Sequence, residues 1–140
     1  MRARERWEMS VDSAFDVVDI GQCDPDHASI RRLVESLGMK VVRAYTAADA
    51  KKLVAQPGVA LALVNRIFDA DGGSGIDCIR ELLEMAKSPD FQNPNMKVML
   101  VSNYPEYQEQ AVALGALPGF GKAALRDPQT AALVRSAVQK

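Results

Sequence analysis

The sequence predicts an α/β fold, a doubly wound five-stranded parallel sheet with helices on both faces. Three observations predict it. Short apolar runs alternate with amphipathic stretches five times along the chain, the pattern of repeated strand–helix units. The central run, Val59–Ile67 (VALALVNRI), is nearly all apolar, as expected of a parallel strand covered on both faces. Gly, Pro and Asp punctuate the junctions where one element must give way to the next.

The elements follow in order. Phe15, Val17, Val18 and Ile20 make a first strand that ends at Gly21. Pro25, with Asp24 and Asp26, supplies helix-start chemistry, because Pro suits a first turn and carboxylates favour the positive helix end. Ile30, Leu33, Val34 and Leu37 then share one helical face, and Gly38 stops that helix. Val41, Val42 and Tyr45 give a second strand, and Thr46 caps a helix over Ala47–Gln56 that Pro57 and Gly58 end. The third strand runs into a glycine-rich loop, Asp69–Gly75, before a helix over Ile76–Ala86 with Ile76, Ile79, Leu82 and Leu83 on one face. Ser88–Asn95 is a loop, Lys97–Ser102 the fourth strand, and Pro105–Leu114 the fourth helix, stopped by Gly115. A short strand around Phe120 and a helix over Asp127–Val138 complete the series.

Right-handed crossovers leave few topologies for such a chain. The flavodoxin-like strand order 2-1-3-4-5 is the expected one, and its ligands sit at the carboxyl ends of the strands. Those ends are Gly21–Asp24, Asn65–Phe68, Ser102–Asn103 and Gly121–Lys122. Residues 1–13 are polar and charged, with Trp7 alone among Arg and Glu, and read as an N-terminal extension ahead of one domain over 14–140.

Composition narrows the function. The 140 residues carry a formal net charge of −1, which argues against a nucleic-acid-binding surface. No apolar run reaches the length of a membrane span and the N-terminus lacks a secretory pattern, so a cytoplasmic protein is expected. Cys23 and Cys78 lack zinc-like spacing, with only His27 to help them, so neither a metal nor any other cofactor is expected.

The stretches CDPDHASIRRLVESLGMKVVRAYTAADA, LALVNRIF, VMLVSN and ALGALPGFGKAAL, in that order, resemble bacterial response-regulator receiver domains over nearly the whole chain from Phe15. The resemblance implies a (βα)5 receiver fold and a role in two-component signalling. Such receivers take a phosphoryl group on an Asp ending strand three. Two acids ending strand one hold Mg²⁺, while a Ser or Thr after strand four and a Lys after strand five contact the phosphoryl group. Ser102 and Lys122 match the last two roles. The acceptor position holds Asn65, whose neutral amide cannot form an acyl phosphate. The acidic pair falls on Gln22 and Cys23, with Asp24 contributing at best alone. Ala123 follows the Lys where the family usually has Pro, and Gly119 occupies the position of its switch aromatic.

These departures make the expected function that of a pseudo-receiver: not an enzyme, phosphorylation-independent, and acting by protein–protein interaction with a signalling partner or as a homodimer. Clustered carboxylates repel by about 4 kcal/mol per pair at 4 Å and an effective dielectric of 20. A pocket without metal is therefore freer to hold neutral groups. Tyr104, Tyr107, Leu117 and Phe120 are the candidate interface residues. The alternative is a domain that binds a small anion or other ligand in the degenerate pocket of Gln22, Cys23, Asp24, Asn65, Ser102 and Lys122. Ser102 and Lys122 are read either as anion contacts or as a plain strand-end Ser and a solvated Lys. Cys23 is either a reactive thiol near a helix start or a small buried filler. His27 is expected to be exposed in the first helical turn. The loop DADGGSGID has Ser74 and Arg80 where a calcium loop counted from Asp69 needs Gly and Glu, and is read as a flexible loop.

Overall fold

A computed structural model describes residues 14–139, so the N-terminal extension lies outside the described residues. The strands are β1 (Val17–Ile20), β2 (Val41–Ala44), β3 (Leu61–Asn65), β4 (Lys97–Val101) and β5 (Leu117–Phe120). The helices are α1 (Asp24–Ser36), α2 (Ala47–Val54), α3 (Gly75–Ala86), α4 (Pro105–Leu114) and α5 (Pro128–Val138). The five strands form one parallel sheet in the order β2-β1-β3-β4-β5, the expected flavodoxin-like topology.

The two faces of the sheet hold separate apolar layers. Val18, Ile20, Ala62, Val64, Val98 and Leu100 pack under α2, α3 and α4, with Ala50, Val54, Ile79, Leu82 and Ala111. Val17, Leu61, Leu63, Met99 and Val101 point the other way, onto Ile30 and Val34 of α1 and Val134 and Ala137 of α5. This alternation is the period-two pleat of a strand. It explains why β3, buried throughout, contains no charged residue.

Local chemistry sets the ends. Thr46 caps α2 by accepting from the Asp49 amide at 3.2 Å, and Ser74 does the same for α3 through Asp77 at 3.1 Å. Pro25, Pro105 and Pro128 each stand in the first turn of a helix, where no amide is needed.

Several elements are shorter than the sequence predicts, β1 starting at Val17, β3 at Leu61, α2 ending at Val54 and β4 at Val101. Tyr45 falls outside β2, 49% exposed, with the Arg43 guanidinium 4.5 Å above its ring. β3 stops at Asn65, and Ile67 turns outward, because the chain folds back so that Phe68 donates to Gly73 O at 2.8 Å. β5 pairs irregularly with β4 between Met99 and Val101, where Pro118 lacks an amide to give.

Candidate functional site

The carboxyl ends of β1, β3, β4 and β5 converge as expected, but only part of the predicted set meets there. Asn65, Ser102 and Lys122 line a cavity of about 190 Å³, together with Arg66, Ile67, Asn103 and Tyr104. Gln22, Cys23 and Asp24 do not line it. Gln22 is buried, with neither amide atom hydrogen-bonded among the described residues. Asp24 turns away to Arg43 Nη1 at 2.8 Å. Cys23 is half-buried and its Sγ donates to Asp26 Oδ2 at 3.2 Å.

Asn65 is fully engaged as a donor. Its Nδ2 gives one bond to Gly21 O at 2.9 Å and one to Ile67 O at 2.7 Å. The amide therefore ties the end of β3 to the end of β1 and to its own loop, using both protons that a carboxylate would lack. Beside it, the buried Phe68 ring covers Gly21. A Cβ on Gly21 would stand 2.2 Å from Phe68 Cδ1, and Gly21 has φ +80°, where a side chain is also strained.

Lys122 reaches Asp26 Oδ2 at 2.8 Å. Burial acts to raise the Asp26 pKa, but the bonds from Lys122 and Cys23 outweigh it and hold this carboxyl below the usual range. Ser102 Oγ accepts from the Tyr104 amide at 3.2 Å, and Asn103 Oδ1 from the Ala123 amide at 3.1 Å. Both side chains thus organise loops at the cavity wall.

The fourth helix is fastened to the sheet by Gln108. Its Nε2 donates to Leu100 O at 2.9 Å and Ser102 O at 3.1 Å, while its Oε1 accepts from the Gly119 amide at 3.0 Å. A Cβ on Gly119 would lie 2.0 Å from Leu100 O, so no side chain fits there without backbone movement.

Of the predicted interface residues, Tyr104 is 52% exposed, whereas Tyr107 and Leu117 are half-buried against the core. Phe120 is 6% exposed and belongs to the α1/α5 layer, which removes it from any surface. The pleat of β5 turns its ring inward. Arg66, absent from the sequence-level set, lies 5.3 Å from the Tyr104 ring centre and 4.7 Å from that of Tyr107, with exposed Ile67 next to it.

His27 is not the exposed residue expected. Its Nδ1 sits 2.6 Å from Oδ2 of Asp19, an acid buried completely in β1. Cys78 is inert filler, since burial, with the neighbouring Glu81 charge, pushes its thiol up to about 12. No group of three or more His, Cys, Asp or Glu among the described residues could hold a metal ion. None of their helices is long and apolar enough to cross a membrane.

No family model and no curated protein matches the sequence. Solved structures do match. A response regulator from Thermotoga maritima superposes with TM-score 0.68 at 18% identity, covering 91% of this chain and 100% of that one. A CheY-like response regulator receiver domain protein from Methanospirillum hungatei JF-1 gives 0.69 at 18% identity, covering 90% and 94%. The signal receiver domain of a DNA-binding response regulator from Colwellia psychrerythraea 34H gives 0.69 at 20% identity, covering 91% and 100%. With five parallel strands in the order 2-1-3-4-5, the chain has the CheY-like fold of response-regulator receiver domains.

Proposed function

We propose that this domain is a signalling module that works by binding a protein, either a partner or a second copy, without taking up a phosphoryl group. One observation carries the reading: both Asn65 amide protons are spent on Gly21 O and Ile67 O. The residue at the acceptor position is thus a structural tie, and an amide there is no nucleophile.

The rest of the pocket agrees. Mg²⁺ takes several hard oxygen ligands in near-octahedral geometry. The residues present do not fit it: Phe68 covers Gly21, Asp24 faces Arg43, and Asp26 is held by Lys122. Gln108 fixes α4 to β4 and β5 with three hydrogen bonds, which favours a single arrangement of that face. The binding surface is then Arg66, Ile67 and Tyr104, backed by Tyr107. Tyr and Arg are the side chains that most often carry binding energy. A second reading, capture of a small anion, draws on the cavity beside Arg66 and Lys122, but Lys122 already spends its charge on Asp26.

Incubated with a small phosphodonor and Mg²⁺, neither the domain nor its Asn65→Asp variant is expected to gain a phosphoryl adduct by intact mass. An acyl phosphate on either would contradict the proposal. Tyr104→Ala should change stability by no more than about 0.5 kcal/mol, as for an exposed position, while weakening association. Sedimentation over a concentration series tells the occupants apart. Self-association that Tyr104→Ala abolishes assigns a second copy, and a monomer throughout assigns a different protein.

A further inference from the structure

The signalling proposal makes no use of the buried acid in β1. Asp19 is fully buried and its Oδ2 meets His27 Nδ1 at 2.6 Å. Its Oδ1 has no hydrogen-bond partner among the described residues, and neither has either amide atom of buried Gln22. An acid so placed costs free energy unless it is paired or protonated. His27, with 16% of its side chain exposed, is the member of the pair that solvent can reach.

The pair also has a mechanical position. His27 lies in the first turn of α1, one residue after Asp26, and Asp26 bonds Lys122 at 2.8 Å. The contact from α1 into β1 therefore fixes the turn that presents Asp26 to Lys122. The surrounding charges are accounted for. Arg43 is the register neighbour of Asp19 on β2, but its guanidinium is turned to Asp24 Oδ1 and Gln22 O. On β3 the register neighbour is apolar Leu63. On α1 itself, Asp24 is taken by Arg43 and Asp26 by Lys122, and Cys23 donates to Asp26. Lys122, after β5, reaches the pair only through Asp26.

We propose that Asp19 and His27 form a pH-sensitive clasp, and that its state sets whether α1 holds Asp26 on Lys122. The hydrogen bond between His27 and the Asp19 carboxylate draws the first turn of α1 onto the sheet. When Asp19 takes up a proton, its carboxylate no longer accepts that bond with full charge and the turn is released. Burial pushes the Asp19 carboxyl above its ordinary value of 3.8, against the bond and charge of His27, the nearby Gln22 amide and the Arg43 charge. The contribution of Asp19 to stability is accordingly complete below 3.8 and is lost as pH rises through the raised value. Asp26 is shifted the other way. Acidification thus crosses a window in which Asp19 is protonated while Asp26 is still ionised, and a change at Lys122 in that window comes from the clasp.

The test is NMR of the Asp19 carboxyl and the Lys122 ammonium against pH, in the whole chain and in Asp19→Asn and His27→Gln. In the native chain the Lys122 signal should inflect with the Asp19 carboxyl. Asp19→Asn, which keeps the shape and removes the titration, should lose that inflection while staying folded. His27→Gln should weaken the Asp26–Lys122 bridge at pH values above the Asp19 titration, where the native clasp is closed. Should His27→Gln fail to fold, the comparison with Asp19→Asn still decides. A Lys122 profile that is the same in the native chain and in Asp19→Asn overturns the proposal.

Discussion

Replacing Gly21 by alanine is expected to destabilise the domain by about 2–5 kcal/mol, the sum of a left-handed backbone cost of about 1–2 and an overpacking cost of about 1–3. The two parts have separate origins. Gly21 has φ +80°, and its new Cβ would meet Phe68 Cδ1 at 2.2 Å. The ring cannot easily yield, because Phe68 is buried in the core. At about 3–5 °C per kcal/mol for a domain of this size, thermal unfolding should fall by about 6–25 °C. Phe68→Ala alone should cost about 3–5 kcal/mol through the cavity it leaves. On that background Gly21→Ala should cost only its backbone share, about 1–2 kcal/mol. Additive losses in the double variant would show that the ring does not rest on Gly21.

Asn65→Asp is the second large effect, expected to cost about 2–5 kcal/mol at neutral pH. Ile67 O loses its side-chain donor, Gly21 O keeps only the Asp69 amide at 3.0 Å, and both carbonyls face a carboxylate instead. A buried group left unsatisfied costs about 1–3 kcal/mol, more when a charge is involved. The carboxyl in this site would hold its proton above the ordinary range, and a protonated acid can still donate one bond. The deficit relative to the native chain should therefore shrink as pH falls, read by urea unfolding at several pH values. A variant as stable as the native chain at neutral pH would mean that the amide ties are weak. The substitution that would install the acceptor residue of the receivers the sequence resembles is thus expected to damage this pocket.

The fold was legible because it rests on patterns the chain cannot hide. The apolar run of β3, the i, i+3, i+4 face of α1, and Pro or a capping Ser or Thr at the helix starts each report one local requirement. Strand ends were read too long at Tyr45 and Ile67, since apolar character continues past the last ladder bond. At the site, Asn65, Ser102 and Lys122 were legible from their places at strand ends. Asp26 was read only as a helix-start residue, and its bond to Lys122 depends on how far α1 swings over the sheet. Arg66 and Gln108 carried no signal, because a polar residue beside a strand or on a helix reads as solvated. Phe68 gave a faint one, as an aromatic in an otherwise polar loop. Asp19 was the clearest missed signal: an acid inside the run VVDI has to find a partner when the strand is buried, and His27 stands eight residues on.

The most direct test is an amide NMR titration of the domain with Mg²⁺, followed by beryllofluoride as a phosphoryl mimic. The account predicts no saturable shifts at Gln22–Asp24, Asn65 or Lys122, because Asn65 is tied to two carbonyls and Lys122 to Asp26. Saturable shifts at those residues, spreading from Lys122 to Gln108 and α4, would show a pocket that still takes a metal and a phosphoryl group, and would contradict it.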